Sequence, residues 1–277
     1  MDVIEEKLMG VPTPKIVKVN QFFDDNKIED VESYLKGNLV NLTGYNNIIP
    51  GQNIAITAGS REIDKISLII KSVVDMVKQK GANPFVVPAM GSHGGATAEG
   101  QVKMLATLGI TEESIGAPIE SSMEVDQIGQ ISDYIDKFAN EADGIILINR
   151  IKAHTSFKGK YESGLMKMMA IGLGKQHGAA NYHKTGFGVM PRIVEEVGKE
   201  VLKQKNIMFG VGIVENGYGK VAQLALLEKD QIVEQEKELL IKANKLLPKL
   251  FFEQADVLIV KEIGKNISGT GMDSNVT

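Results

Sequence analysis

The chain has no cysteine and no tryptophan among its 277 residues. Without thiols there is no disulfide, no cysteine-held iron–sulfur cluster and no zinc finger. A metal would have to use His, carboxylate or backbone, or arrive inside a cofactor. No run of about 18 apolar residues occurs, so there is no candidate membrane span. The net charge is -4, and nothing in it suggests the basic stripe of a nucleic-acid binder. The N-terminal MDVIEEKLMG is acidic and lacks both the positive and the apolar region of a secretory signal. The expectation is a cytoplasmic protein whose partner is a small molecule, with neither nucleic acid nor membrane involved.

What is present alternates regularly. NIAITAG reads as a strand entering a glycine loop, and REIDKISLIIKSVVDMVKQKG as a helix with Ile66, Ile69, Ile70, Val73 and Val77 on one face, stopped at Gly81. NPFVVPAMGSHGG repeats the strand-to-loop pattern, and a helix follows over roughly 97–108. ADGIILINRI is an apolar run suited to a sheet buried on both faces. VMPRIVEEVGKEVLKQK is helical with Pro191 in its first turn, IMFGVGIVEN and KVAQLALLEK are two strands around a GYG turn, and a long helix spans 230–247. ADVLIVKEIG is expected as one more buried strand. Strand–helix alternation predicts an α/β fold, a mainly parallel sheet flanked by helices. No internal repeat or low-complexity linker interrupts it. A seam near 248–254 divides an N-terminal α/β domain, residues 1–250, from the beginning of a second one, 251–277, which the sequence reads as truncated.

In such sheets ligands sit beyond the carboxyl ends of the strands. Three loops leave apolar runs there: AGSRE, MGSHGG and NRIKAHTS. Each carries an ionisable residue in its first positions, and Arg61, His93 and His154 are expected to share one pocket. His93 lies among glycines and is a loop residue; its alternative role is to hold backbone. His154 follows a rigid strand that could aim it. His177 reads as scaffold, and His183, in NYHKTG, stands equally for a site or a surface residue. Lys158 and Lys160 suit a solvated face. Lys167 differs, because ESGLMKMMAIGLG surrounds it with apolar residues, where an amine loses protons readily and becomes a nucleophile; the alternative is a lysine whose stem snorkels. MGSHGGAT and AIGLGK offer glycine-rich backbone for a phosphate but match no nucleotide-binding pattern. Two loop histidines facing one pocket suit removal and return of a proton at one carbon, among other chemistries.

In order and spacing these segments resemble the nickel-dependent lactate racemase family. TAGSRE, AMGSHGGAT, KAHTSFKGKYESGLMKMMAIGLG and NYH carry the resemblance, which runs from about Ile54 to the end. It implies a nickel-pincer cofactor derived from nicotinic acid mononucleotide, tethered to Lys167, with His183 as the protein ligand to nickel. It further implies His93 and His154 as acid and base, Arg61 as the substrate-carboxylate residue, and racemisation or epimerisation of a 2-hydroxy acid by hydride transfer. Cofactor-building enzymes become partners, and an apo form is expected where they are missing. The sequence departs from the family pattern at Ala58, where the family has an acid, at Leu165 for a glycine and at Ile171 for a proline. In the tail, GTGMDSN is similar to a family stretch that opens the second domain, and Ser274 stands for a glutamine near the substrate. Two other functions use the same residues: a metal-free sugar-acid epimerase or dehydratase, and a non-catalytic mononucleotide- or phosphate-binding module.

Overall fold

The computed structural model describes residues 3–12, 15–129, 133–184, 186, 188–263 and 272–277. Its centre is a five-stranded sheet in the order β2-β1-β5-β6-β7. The strands are β1 (Asn53–Ala58), β2 (Asn83–Pro88), β5 (Gly144–Arg150), β6 (Ile207–Glu215) and β7 (Val221–Glu228). All neighbours pair in parallel except β6 with β7, which form an antiparallel hairpin at the edge. A small antiparallel pair, β3 (Val125–Gln127) and β4 (Tyr134–Asp136), lies apart from the main sheet.

Side chains on successive strand residues point to opposite faces, and both faces are apolar. Ile54, Ile56, Ile146, Ile148, Phe209, Val211 and Ile213 share a core with the helices Val31–Leu39 and Ile66–Gln79. Ala55, Ile145, Leu147 and Ile207 share the other with Val194, Val197 and Val201 of the helix Met190–Gln204 and with Leu239 and Leu240 of the helix Ile232–Leu246. Helices on both faces explain why the central strands are unbroken apolar runs rather than alternating ones. The expected α/β class and its parallel sheet are present, and Pro191 sits in the first turn of its helix.

One expected strand is absent. Residues 255–263 have no strand, and Val257 and Ile259 are exposed. A strand exists through its ladder of hydrogen bonds, and this segment pairs with no strand among the described residues.

The sheet sets the position of the site. From β1 the chain crosses to β2 on one side, then returns to β5 on the other side of β1. The loops leaving β1 and β5 therefore part company, and a crevice opens beyond their carboxyl ends.

Candidate active site

Ser60 and Arg61 follow β1 directly, and Ser60 Oγ shares a hydrogen bond with Nδ1 of His93 in the loop after β2. That loop is pinned by backbone. Gly91 N–H donates to Gly172 O at 3.1 Å, and the Gln101 amide donates to Gly91 O at 2.9 Å and to His93 O at 3.3 Å. The glycines flanking His93 have a reason. Gly94 sits at φ +69°, and a Cβ there would lie 2.6 Å from the carbonyl carbon of Gly100, so only glycine lets the loop turn onto the helix Ala98–Thr107.

The loop after β5 carries His154. Its N–H donates to Glu162 Oε2 at 2.6 Å, and its ring Nδ1 accepts from Ser156 N–H at 3.0 Å. The ring stacks on Phe157, with centroids 4.2 Å apart and planes 24° apart. Burial, then the charges of Lys167, Lys158, Arg61 and Lys152, push the imidazole down to about 3. His154 is therefore neutral throughout the physiological range. Its carbonyl accepts from Lys158 Nζ at 3.1 Å and from the Asn275 amide at 3.3 Å, while Ser274 Oγ donates to Thr155 O at 3.0 Å and Lys152 pairs with Asp273 at 3.1 Å. The end of the chain thus docks on the His154 loop.

Lys167 ends the short turn Leu165–Lys167, which runs into a π-helical turn over Met168–Gly172, a distortion often found at functional sites. Its Nζ lies 5.4 Å from the centroid of the Phe157 ring. It has neither a hydrogen bond nor a carboxylate partner among the described residues. Burial, then the charge of Arg61, lower its amine to about 8, against a smaller raising effect of Glu162. Arg61 is exposed and without a carboxylate partner among the described residues; partial burial and the nearby Arg150 lower its guanidinium. Arg150 is already paired with Glu215, so of the two guanidiniums Arg61 is the one available to an anion. His183 lies in the helix Lys175–Lys184, but its side chain falls outside the described part. His177, exposed on that helix, meets the Tyr134 ring edge to face, with centroids 4.4 Å apart.

No protein-family model matches this sequence, and no curated protein does. Among solved structures, the lactate racemase apoprotein from Thermoanaerobacterium thermosaccharolyticum is similar, with a TM-score of 0.56 and 16% identity. The fold is shared with a lactate racemase. The match covers 77% of this chain and 55% of the racemase, so the chain spans about half of that protein's length.

On this fold, four residues that sequence reasoning passed over complete the surroundings. Ser60 reaches His93, whereas Ala58, buried at the end of β1, offers no polar atom there. Phe157 supports both His154 and Lys167, and Glu162, itself buried, fixes the His154 backbone. Glu162 was legible as the fourth residue after Lys158, with which it pairs at 3.5 Å; the ring was not.

The fourth is Glu236, from the helix Ile232–Leu246. Its Oε2 accepts from Met166 N–H at 3.0 Å, at the start of the turn that carries Lys167. Gly164 makes room: a Cβ there would fall 2.3 Å from Glu236 Oε1, which has no hydrogen-bond partner among the described residues. Burial pushes this carboxyl up to about 7, against the lowering effect of the Met166 and Leu165 N–H groups. A carboxyl raised in the folded state stabilises fully below its unfolded value and loses that contribution as pH climbs through the folded one. Wild type should therefore lose roughly 3 kcal/mol relative to Glu236→Gln between about pH 4.5 and 7. Denaturant titrations of both proteins across that range would read it. The comparison with the variant matters, because His154, lowered on folding, tilts the wild-type curve the opposite way over part of the same range.

No helix among the described residues is long and apolar enough to cross a membrane. The amine of Lys167 fits a covalently tethered group: it has no hydrogen bond or carboxylate partner among the described residues, and burial lowers it to about 8.

Proposed function

We propose that this chain is the cofactor-holding part of a racemase or epimerase of 2-hydroxy acids. It would take a nickel-pincer nucleotide tethered through a thioamide to Lys167, with His183 toward the metal. The observation that carries this reading is the Lys167 amine, without a partner among the described residues and set among Arg61 and His154 at the switch point of the sheet.

When bound, such a group supplies a carbon that accepts and returns the hydride of the substrate's C2. The chain's own residues do the rest. Arg61 offers a bidentate fork to the carboxylate and fixes the substrate's orientation. His93 and His154 face the C2 oxygen and between them hold and move its proton. Phe157 keeps the His154 ring in place and screens one side of the Lys167 amine from water. A 2-hydroxy acid suits this set because its carboxylate and hydroxyl lie on adjacent carbons, each with a protein group to meet it. Enzymes that build the nucleotide are the implied partners.

The deciding measurement is intact mass and nickel content after co-production with a cofactor-making pathway. A mass increase on the Lys167 peptide with about one nickel per chain is expected. An unmodified, nickel-free chain, in cells where a known racemase loads, would overturn the reading. With the loaded protein, His93→Ala should lower kcat by about 10²–10⁴-fold while nickel content stays unchanged. Turnover preserved in His93→Ala would remove that residue from the reaction.

A further inference from the structure

The turn that presents Lys167 has no cap of its own. A helical turn leaves its first N–H groups without partners inside the helix, and a side-chain oxygen at the N-cap normally takes one of them. Here the N-cap position is Gly164, which has no side chain. The acceptor comes from a different helix. Glu236, buried on the helix Ile232–Leu246, takes the Met166 N–H on Oε2 at 3.0 Å, and the Leu165 N–H acts on the same carboxyl. Glycine at 164 is what admits it, because a Cβ there would fall 2.3 Å from Glu236 Oε1. Gly164 and Glu236 thus form one cap split between distant parts of the chain. The same glycine is held from the sheet as well. Its carbonyl accepts from the Asn149 amide, on β5, at 2.8 Å and from the Met168 N–H at 3.0 Å.

We infer that Glu236, admitted by Gly164, is a positioning residue for the Lys167 amine: it fixes the start of the turn and so holds the amine beside Phe157. This rests on the reading of Lys167 as the tether and says what keeps that tether in place. The amine has no hydrogen bond or carboxylate partner among the described residues, and its one named neighbour is the Phe157 ring, 5.4 Å away. A long side chain with so little to hold it keeps its place only when the backbone it leaves from is fixed. Glu236 touches the backbone one residue before Lys167 and acts on it from there. Stability alone does not account for a carboxyl at this position. Burying it with Oε1 lacking a hydrogen-bond partner among the described residues costs free energy that an apolar side chain would not. The fold keeps it where the Lys167 turn needs an acceptor.

The test uses the protein without cofactor. Trace labelling with acetic anhydride across a range of pH, read peptide by peptide, gives the pH at which the Lys167 amine is half reactive. In wild type that midpoint should lie at about 8. Glu236→Ala should raise it by about one unit or more toward the ordinary lysine value of about 10.4, because a loosened turn lets water reach the amine. Glu236→Gln keeps an acceptor for the Met166 N–H and should stay within about half a unit of wild type. Gly164→Ala keeps the carboxyl but pushes it off the turn. It should match Glu236→Ala, and combining the two should add nothing further. Lys175, fully buried, is the internal control, since its labelling reports general opening of the fold. An unchanged Lys167 midpoint in Glu236→Ala would overturn the inference. Equal shifts in the Ala and Gln variants would overturn it too, because they trace to lost charge rather than to a lost cap. Should Glu236→Ala not fold, Gly164→Ala decides alone: an unchanged midpoint, or Lys175 labelled along with Lys167, would refute the positioning role. After co-production with the cofactor-making pathway, Glu236→Ala should carry about tenfold less adduct on Lys167 than wild type, and Glu236→Gln as much. If wild type itself loads no nickel, the cofactor reading falls, and the labelling still decides what Glu236 does.

Discussion

Lys167→Met should abolish covalent attachment and turnover together, and should make the protein more stable. The first half follows if the amine is the tether, since methionine copies its stem and removes its nucleophile. The second follows from its surroundings. A lysine with no carboxylate partner, desolvated and facing Arg61, costs free energy that an apolar side chain of similar length would not. The amine's lowered value, about 8, gives the penalty a pH signature. A base lowered on folding binds fewer protons in the native state, so stability rises with pH between the folded and the unfolded values. Below about pH 8 wild type should be roughly 2–3 kcal/mol less stable than the variant, and the gap should close toward pH 10.5. Urea titrations at three or four pH values would show it. A variant less stable than wild type at pH 7 would mean the lysine is structural, and intact mass after co-production would independently report the tether.

The same residue shows what the sequence can and cannot carry. Apolar neighbours marked Lys167 out from Lys158 and Lys160, and the structure agrees: the last two are exposed. The strand–loop pattern gave Arg61, His93 and His154 a common edge, because a parallel sheet delivers every strand's carboxyl end to the same side. What was not legible depends on contacts across long stretches of chain. Ser60 touches His93 thirty-three residues away, and Glu236 caps the Lys167 turn from seventy residues away. No local pattern encodes either. The segment 255–263 failed for the opposite reason. Its apolar, β-branched run is sound strand material, but strand formation needs an edge to pair with, and local propensity does not supply one.

The largest loss of stability should come from a lysine that the sequence does not distinguish at all. Lys175 is fully buried, with its Nζ 2.5 Å from Pro88 O, 3.0 Å from Gln101 Oε1 and 3.0 Å from Asp136 Oδ2. Pro88 O and Gln101 Oε1 accept from the amine, and Asp136 faces it as an ion-pair partner. Burial lowers the Lys175 amine and raises the Asp136 carboxyl, each opposed by the charge of the other. The geometry is held at a cost, because the backbone of Lys175 lies at φ +50°, where a side chain is unfavourable. Lys175→Met should cost roughly 3–5 kcal/mol by leaving the Asp136 carboxylate buried without its cation. Removing the other charge as well, in Lys175→Met with Asp136→Asn, should recover much of that. The asparagine oxygen can still take the Ala139 N–H that Asp136 Oδ1 accepts at 2.9 Å. Recovery of stability should not restore the site, however. Gln101 would still lack the ammonium that orients it, and Gln101 is what ties down Gly91 and His93 by their carbonyls. Amide exchange over residues 89–95 should therefore stay faster in the double variant than in wild type at equal global stability. Exchange that returns to the wild-type rate would mean the ion pair serves the core alone. A single variant costing less than about 1 kcal/mol would mean the pair is not what holds these three segments together.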